Sequence, residues 1–393
     1  MIKNIKYLVG NSGFSKDPFK PFAKETNIFL DNLSHELKSI KNIKKFPDLM
    51  SLSFWCRLNH IEKLKTKYLL SENRLGFGLV FHITPSNIPT NFAYSLIFGL
   101  LTGNSNIVKV PSKNFEQIDI ICNVIKKILE KQKNFLKNKI TIVRYNKNDE
   151  FTKNISSMCN VRVIWGGDKT INSLREFKIN ERAFDITFAD RYSFCVIDSL
   201  KISKLNKIEL KNLANKFYND TYLVDQNACS SPHLIIWLGK KKEKAKNCFW
   251  DNVYEVVKNK YHLTDSAAVD KYTDLCAYSS KLNNIGNIIN KNNLIYRIQL
   301  KSVNKENHLL RGKWGLFFEY SADNLDKIKN IINNKYQTLT YFGVDKNKIR
   351  DFIINNNLKG IDRVVPIGQS LDIGLQWDGI DIVNIMSRGI NIK

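Results

Sequence analysis

The stretch 76-GFGLVFHITPSNIP-89 indicates the fold class, because a short apolar run ends in residues that cannot continue it. Residues 76–84 are mostly β-branched, aromatic or glycine, which is typical of a buried strand, and the two prolines that follow interrupt it. An apolar segment with the length of a helix then runs from about Asn91 to Leu101 and stops at Gly103. This part of the chain therefore predicts a strand that leads directly into a helix.

The same pattern recurs further along the chain. The next predicted strands are 106-NIVKV-110, 138-NKITIVRY-145 and 160-NVRVIWGGD-168. Ser112 is the predicted N-cap of an amphipathic helix that reaches about Lys131, and another helix is expected from about Lys169. This alternation predicts an α/β protein with a parallel sheet that is covered on both faces. Ligands bind at the carboxyl ends of such strands, where the segments PSNIP, KVPSK and WGGD fall.

A chain of 393 residues is too long for one ordinary core, so we expect two lobes with a cleft between them. The strand 193-SFCVID-198 is expected to close the first lobe. Further strands are predicted at 234-LIIWLG-239, 312-GKWGLFFEY-320 and 336-YQTLTYFG-343. The predicted division is 1–198, 199–365 and a tail, 366–393, that returns to the cleft or to a subunit interface.

Composition and charge narrow the class of protein. A hydrophobic content of 43% and an aromatic content of 11% are globular values, which excludes a disordered chain. The net charge of +24 could mark a nucleic-acid or anionic-membrane surface. The charge is mostly lysine spread along the chain, without an aromatic-interleaved basic patch, and A/T-rich codon usage explains it as well. We expect no specific nucleic-acid partner, although phosphate-bearing ligands remain open.

The seven cysteines are scattered and form no C-x-x-C pair, which argues against a disulfide framework and a zinc site. The N-terminus lacks the long apolar segment of a signal peptide, and the run 92-FAYSLIFGLL-101 is far shorter than the roughly 20 residues that cross a bilayer. We therefore expect a cytoplasmic protein with no membrane span and no metal.

One cysteine stands out by its context, 222-YLVDQNACSSPHLIIW-237. A single cysteine is usually a core residue. Here Asp225, Gln226 and Asn227 precede Cys229, and such polar residues hinder burial while supplying dipoles that favour a thiolate. This context favours a functional Cys229, held by a strand that begins at about Leu234.

Taken in chain order, the motifs H-I-T-P-S-N-I-P, G-N-x-x-x-V-K-x-P-S, W-G-G and D-Q-x-A-C-S-S-P resemble those of the aldehyde dehydrogenase superfamily. They resemble more closely the LuxC-type acyl-CoA reductases, which 361-IDRVVPIG-368 and 376-QWDGIDIVNIMSRG-389 also match. The similarity covers roughly residues 70–393. It implies an aldehyde dehydrogenase-like α/β fold, with a parallel-sheet lobe that binds a nicotinamide cofactor and an α/β lobe that carries the catalytic cysteine.

Carried over residue by residue, the resemblance implies that Cys229 is the nucleophile that accepts the acyl group. Asn87 occupies the oxyanion-hole position of the P-x-N-x-P motif, although an asparagine beside proline is also an ordinary turn residue. The backbone N–H of Cys229 would be the second oxyanion donor. His233, four residues further on, is interpreted as structural, and Cys159, Cys195 and Cys248 as core residues.

The resemblance also places a cofactor site. The predicted cofactor-binding residues are Thr84, Pro85, Lys109, Ser112, Gly166 and Gly167. Lys109 would contact the adenosine ribose or its phosphate, and the two glycines would approach the pyrophosphate. A solvated lysine and a simple turn are the alternative interpretations. Because Ser112 and Lys113 follow Lys109 and no acidic residue is present there, we favour NADPH, with NADH possible.

Two positions depart from the superfamily pattern. Phe188 stands where aldehyde oxidisers have a glutamate that activates water, and 312-GKWG-315 lacks the glutamate of the E-x-F-G motif. Loss of the first glutamate favours reduction, because the acyl-enzyme is then not hydrolysed. Loss of the second leaves the nicotinamide-side contacts open.

The predicted function is NADPH-dependent reduction of an acyl thioester to an aldehyde through acyl-Cys229. The acyl group would come from acyl-CoA or from a partner acyl-activating enzyme, such as the acyl-protein synthetase of the family's luminescence members, and we expect a homo-oligomer. The alternatives are a CoA-acylating aldehyde dehydrogenase that works in the oxidative direction, a subunit that is inert without its partner, and a catalytically silent basic binding protein.

Overall fold

The protein is described by a computed structural model that covers residues 5–68, 73–131, 135–146, 149–240 and 242–392. The chain divides into two compact units. The first contains Met1–Asp190 together with Leu375–Lys393, and the second contains Arg191–Gly374. Among the described residues, none of the helices combines the length and the apolar character needed to cross a membrane.

The first unit contains an open sheet flanked by helices. Its elements up to Asp190 are β1 (Lys6–Val9), α1 (Lys24–Lys38), α2 (Pro47–Trp55), α3 (Leu58–Tyr68), β2 (Arg74–Gly76), β3 (Leu79–Ile83), α4 (Asn91–Leu101), β4 (Ser105–Val110), α5 (Glu116–Lys131), β5 (Ile140–Arg144), α6 (Asp149–Met158), β6 (Val161–Trp165), α7 (Asp168–Arg175) and β7 (Phe184–Phe188). The sheet order is β1-β5-β4-β3-β6-β7, and every neighbouring pair is parallel except β1 with β5. The predicted parallel sheet is thus confirmed.

Strand β3 shows why this sheet needs helices on both faces, because all five of its residues are buried. Phe81 and its alternate neighbours pack in an apolar cluster with Phe151 of α6. On the opposite face, His82 hydrogen-bonds Ser95 of α4 through Nδ1 at 2.7 Å. The predicted helix 91–101 is confirmed, and Gly103 ends it with a positive φ of 83° that disfavours side chains larger than glycine.

The second unit is built in the same manner. Its elements are β8 (Tyr192–Asp198), α8 (Ser199–Ile202), α9 (Lys207–Thr221), β9 (Pro232–Leu238), α10 (Lys242–Lys260), α11 (Asp265–Lys281), β10 (Ile285–Lys291), β11 (Ile295–Leu300), β12 (Leu316–Ala322), β13 (Tyr336–Phe342), α12 (Lys346–Asn355) and β14 (Arg363–Pro366). The order is β10-β11-β12-β9-β8-β13-β14, and only the edge strand β10 is antiparallel to its neighbour.

The boundary expected at residue 198 is wrong. Strand β8 does not close the first unit, because it pairs with β9 on one side and with β13 on the other, in the middle of the second sheet. One face of β8 joins a cluster with helices α9 and α10, and the other joins a cluster with α11 and α12. The second unit therefore begins at Arg191.

A buried charged cluster lies within the second sheet. The Glu319 carboxylate on β12 accepts hydrogen bonds from the indole N–H groups of Trp237 and Trp250, at 2.8 and 2.7 Å. Arg297 on β11 donates its Nε–H to the same carboxylate at 3.0 Å. Because Arg297 and Glu319 are both almost fully buried, these hydrogen bonds offset the cost of desolvating the two charges.

The C-terminal segment returns to the first unit, beginning at Leu375 rather than at the expected residue 366. Its elements are β15 (Gln376–Trp377), β16 (Ile380–Asp381), α13 (Ile382–Met386) and β17 (Ser387–Gly389). Strand β17 pairs antiparallel with β2, and Asn104 donates to the Met386 carbonyl at 2.9 Å. Residues 363–366 instead form β14 of the second sheet, because their backbone pairs with β13.

Candidate active site

Cys229 lies in a turn between a short 3-10 helix, Tyr222–Val224, and the start of β9. Cys229 is half-buried, and its backbone carbonyl accepts a hydrogen bond from the Ser193 hydroxyl at 2.6 Å. The parallel strands of this sheet all begin at one edge, so the Cys229 turn lies at the amino edge of the second sheet. The strand predicted to anchor it is confirmed, and it begins at Pro232.

The residues before Cys229 form a backbone turn that is fixed by hydrogen bonds. Asp225 and Gln226 adopt successive left-handed conformations, with φ of 54° and 57°, which are sparsely populated for residues other than glycine. The Gln226 side chain is buried; its Oε1 accepts from the Gly315 N–H at 2.8 Å, and its Nε2 donates to the Leu316 carbonyl at 3.2 Å. Gln226 therefore ties the Cys229 turn to the segment that precedes β12.

That segment is the turn 312-GKWG-315, which lies at the same edge of the sheet. Trp314 and Gly315 both have positive φ, and a Cβ on Gly315 would lie 2.2 Å from the Leu294 carbonyl oxygen. The ammonium of the buried Lys271 donates to the Trp314 carbonyl at 3.0 Å, and burial lowers the Lys271 pKa to about 8. The turn is thus fixed by its neighbours.

A second fixed loop follows β14. Arg363 donates through Nη1 to the Ser370 carbonyl at 2.6 Å and through Nη2 to the carbonyls of Gln369 and Asp372, both at 2.7 Å. Asp220 of α9 accepts from the backbone N–H groups of Gly368 and Ser370 at 2.6 and 2.9 Å. Burial raises the pKa of Asp220 to about 6, despite these hydrogen bonds.

His233 lies four residues after Cys229, but its environment does not suit a general base. It is buried and stacked on Tyr192, and the Gly312 N–H donates to its Nδ1 at 3.2 Å. Burial, reinforced by the positive charges of Arg311 and Lys313, lowers its pKa to about 3. These contacts agree with the structural interpretation of this residue.

The other cysteines differ from Cys229, and all seven lie among the described residues without forming a disulfide. Four are fully buried (Cys56, Cys122, Cys159 and Cys195), and burial raises the pKa of each thiol. Cys248 and Cys276 lie within helices α10 and α11, and Cys248 packs against the core as a half-buried residue. Cys229 alone is both accessible and placed in a turn.

The predicted cofactor residues of the first unit meet at one edge of its sheet. The chain runs β3, β4, β5 on one side of β3 and then returns to β6 and β7 on the other, so the switch point lies between β3 and β6. Thr84 and Pro85 follow β3, Lys109 lies near the end of β4, and Gly166 and Gly167 follow β6. The structure therefore brings these residues to the carboxyl edge where nucleotides bind in such folds.

Local contacts at this edge fix some of these groups. The Thr84 hydroxyl donates to the Lys109 carbonyl at 2.8 Å, and the Lys109 ammonium lies 5.0 Å from the centre of the Tyr145 ring. Burial lowers the Lys109 pKa. The expected capping role of Ser112 is wrong, because α5 begins only at Glu116. The Ser112 hydroxyl donates to the Tyr145 carbonyl at 3.0 Å.

The glycines after β6 leave the backbone accessible. Gly167 is exposed and immediately precedes α7, and a Cβ built on it would meet nothing within 4 Å. The Gly166 N–H donates to the Phe188 carbonyl at 3.1 Å. Phe188 is buried and stacked on Trp165 with ring centres 3.9 Å apart.

Asn87 is exposed in the loop between β3 and α4, within the first unit. Cys229 belongs to the second unit, so a joint role of the two in an oxyanion hole stays a prediction.

The sequence did not reveal Ser193, which bonds the Cys229 carbonyl, or Asp220 and Arg363, which bond the loop 368–372. Gln226 was expected to hinder burial, but its side chain is buried. Arg363 lies in the IDRVVPIG segment, whereas Ser193 and Asp220 lie outside the matched motif segments.

Comparison with solved structures identifies the class of fold. Aldehyde dehydrogenase 21 from Physcomitrella patens aligns with 93% of this chain and 84% of its own, with a TM-score of 0.62 at 13% identity. A propionaldehyde dehydrogenase from Rhodopseudomonas palustris, solved with bound propionyl-CoA, aligns with 89% of this chain and 82% of its own, with a TM-score of 0.59 at 15% identity. The chain therefore has an aldehyde dehydrogenase-like α/β fold, as the motifs implied.

The family follows from the sequence. The profile of the acyl-CoA reductase (LuxC) family matches residues 58–388, so the chain belongs to that family. It is 24% identical over 323 residues to a long-chain acyl-protein thioester reductase from Photorhabdus laumondii and 23% identical over 324 residues to one from Photorhabdus luminescens. Each match covers 77% of this chain but only 61% of the relative.

Proposed function

We propose that this protein reduces an acyl thioester to an aldehyde, with the acyl group held covalently on Cys229 and NADPH as the reductant. The observation that carries the proposal is the placement of Cys229, which is accessible in a bonded turn, whereas four of the other cysteines are buried. Membership of the acyl-CoA reductase family and the names of the Photorhabdus relatives support the same reaction class.

A cysteine suits this reaction because a thiolate is both a good nucleophile and a good leaving group. The Cys229 thiolate attacks the thioester carbonyl, the carbon–sulfur bond to the donor thiol breaks, and a new thioester forms on Cys229. Donors must then meet the negative charge that develops on oxygen, and each one contributes about 3 kcal/mol to lowering the barrier. The Cys229 N–H and the Asn87 amide are the proposed donors.

The carboxyl edge of the first sheet suits a dinucleotide. The exposed backbone at Gly167 precedes the N-terminus of α7, where partial positive charge favours a pyrophosphate. Thr84, Pro85, Lys109, Ser112 and Gly166 would complete the contacts. When bound, a reduced nicotinamide supplies the hydride, and in the overall reaction one thioester, one NADPH and one proton give an aldehyde, a free thiol and NADP⁺.

Two features of the chain support NADPH and the direction of reduction. Lys109 lies near the end of β4 and Lys113 follows the strand, with no acidic residue between them, which favours a 2′-phosphate over a free ribose hydroxyl. Phe188 offers no carboxylate to activate water, and its ring is engaged with Trp165, so hydrolysis of the acyl-enzyme lacks the usual base.

The acyl donor is proposed to be an acyl-CoA or an acyl group on a partner protein. The Photorhabdus relatives are named for long-chain acyl-protein thioesters, which favours a long chain and a protein-borne donor. An acyl-activating partner enzyme, a homo-oligomer and a cytoplasmic location stay predictions.

The experiment that tests this proposal measures both directions of the reaction with purified protein. Wild type and Cys229→Ala are assayed for NADPH oxidation with acyl-CoAs of graded length and for NADP⁺ reduction with the matching aldehydes and CoA. We expect turnover in the reductive direction, with aldehyde formed, and loss of at least a thousandfold in the variant, since a covalent nucleophile is removed. Faster oxidative turnover would support the CoA-acylating alternative, and turnover that does not depend on Cys229 would contradict the proposal.

A further inference from the structure

A short chain of hydrogen bonds connects the Cys229 turn to the strand beside Arg363. The Ser193 hydroxyl donates to the Cys229 carbonyl at 2.6 Å and accepts from the Thr338 N–H at 3.1 Å. Thr338 is the direct partner of Arg363 in the parallel pairing of β13 with β14. Two hydrogen bonds and one strand pairing therefore link the Cys229 backbone to Arg363 across β8, β13 and β14, at the amino edge of one sheet.

The guanidinium of Arg363 is fixed in that place. Its two terminal nitrogens donate to three backbone carbonyls of the loop 369–372, at 2.6 to 2.7 Å. Asp220 fixes the same loop from the other side, through the N–H groups of Gly368 and Ser370. A guanidinium bonded in this way loses little further freedom when it interacts with a nearby charge.

The charges around this group are few and can be named. Burial lowers the Arg363 pKa, while Asp372, Asp220 and Cys229 raise it by favouring the cation. The charge of Arg191 favours a lower pKa for Asp362, and the charges of Arg311 and Lys313 lower the pKa of His233. The other ionised groups at this edge are therefore mostly cations. An arginine remains protonated in proteins, so Arg363 carries a permanent positive charge.

We propose that Arg363 is the positioning residue that stabilises the Cys229 thiolate by its fixed positive charge. The inference rests on the proposed role of Cys229 as nucleophile, and it adds a cation that no superfamily motif of this chain supplied. Cysteine reactivity depends on the thiolate fraction, and an adjacent cation increases that fraction near neutral pH.

A purely structural role is the alternative, in which Arg363 only holds the loop 369–372. The two roles differ in their effect on the pH at which Cys229 reacts. Removing a fixed cation moves the reaction to higher pH, whereas loosening a loop changes stability and rates without a systematic displacement of the pH profile. A variant that changes only the charge therefore distinguishes the two roles, by the direction in which the pH profile of Cys229 alkylation moves.

The test is the rate of Cys229 alkylation by iodoacetamide from pH 5 to 9, read by peptide mass spectrometry, with no acyl donor or cofactor present. Arg363→Gln removes the cation, and Arg363→Lys keeps a charge but lacks the planar guanidinium that reaches these three carbonyls. Asp372→Asn removes a nearby anion while leaving the backbone carbonyl of that residue in place. The exposed Arg350, which pairs with its neighbour Asp351, gives the matched control Arg350→Gln.

We expect the midpoint of the rate profile to rise by about one pH unit in Arg363→Gln, so that alkylation well below the midpoint is about tenfold slower. Arg363→Lys should lie between Gln and wild type, Asp372→Asn should shift to lower pH, and Arg350→Gln should match wild type. Equal shifts in the Lys and Gln variants, or a wild-type midpoint in Arg363→Gln, would overturn the proposal.

Two further features keep this test decisive. If Arg363→Gln does not fold, which circular dichroism would reveal, the opposite shift expected for Asp372→Asn still tests the charge effect, and its absence overturns it. Because no acyl donor is used, failure of the proposed acyl chemistry would leave these alkylation profiles unchanged and would be seen separately in the turnover assay.

Discussion

Replacement of Gln226 by leucine tests whether this side chain holds the Cys229 turn in place. Leucine has a similar length and no β-branch, so the left-handed backbone at this position is strained to a similar degree. The change removes the hydrogen bonds to the Gly315 N–H and the Leu316 carbonyl, and both groups then lie buried without these partners. Each buried group left unsatisfied costs about 1–3 kcal/mol.

The expected loss is about 2 kcal/mol after allowing for the apolar burial that leucine adds, which is roughly 1–2 kcal/mol. The loss of stability near the turn is measured by the rate of hydrogen exchange in the peptide that contains Gly315. We expect that amide to exchange about 30-fold faster, since each 1.4 kcal/mol corresponds to a factor of ten. The acylation rate of Cys229 should fall with it, because the turn that carries the thiol loses its tie to β12.

The matched control is Gln376→Leu, the same substitution at an exposed position of β15. An exposed substitution of this kind changes stability by less than about 0.5 kcal/mol. Exchange at Gly315 that stays at the wild-type rate in Gln226→Leu, with unchanged unfolding in urea, would refute the reasoning. The turn would then be held by its backbone hydrogen bonds alone.

Three further predictions concern other groups. Glu319→Ala leaves the buried Arg297 without its carboxylate, and urea unfolding should show a loss of about 3–5 kcal/mol, with a smaller loss for Glu319→Gln, which keeps an acceptor oxygen. Burial raises the pKa of Asp220 from 3.8 to about 6, so between these pH values the folded chain binds one proton more than the unfolded chain. Relative to Asp220→Asn, the unfolding free energy of the wild type should therefore fall by up to about 3 kcal/mol as the pH rises from about 4 to 6, and then stay constant. A difference between the two proteins that does not change with pH would contradict the raised pKa. Lys109→Ala should weaken NADPH binding roughly tenfold in calorimetry, with Cys229 alkylation unchanged as its control, whereas equal affinity would remove Lys109 from the cofactor site.

Periodicity and punctuation were enough to predict four strands of the first sheet, but not β1 or β7. The strands at residues 79–83, 105–110, 140–144 and 161–165 are each followed by proline, glycine or polar residues, and the helix 91–101 is mostly apolar. These signals are local, so a single sequence carries them. The strand 192–198 was also recognised, but the sheet to which it belongs was not, because pairing with β9 and β13 depends on residues far along the chain.

The candidate site was predictable only in part, for the same reason. Cys229 was found from its polar approach and the motif resemblance, both of which lie within a few residues. Ser112 was misassigned as a helix cap because its hydrogen-bond partner, the Tyr145 carbonyl just after β5, lies 33 residues further along the chain. Arg363 and Gln226 lie within the matched motifs, but the motifs do not show their bonding partners, which are the loop 369–372 and the 312–315 turn.

The central claim is that Cys229 carries the acyl group, and intact-protein mass spectrometry tests it most directly. Wild type and Cys229→Ala are incubated without cofactor with acyl-CoAs of graded length, and in parallel with an acyl-protein donor. The account predicts one acyl adduct on wild type, none on the variant, and loss of the adduct with release of aldehyde when NADPH is added. An adduct of equal yield on Cys229→Ala, or no adduct from either class of donor, would contradict it.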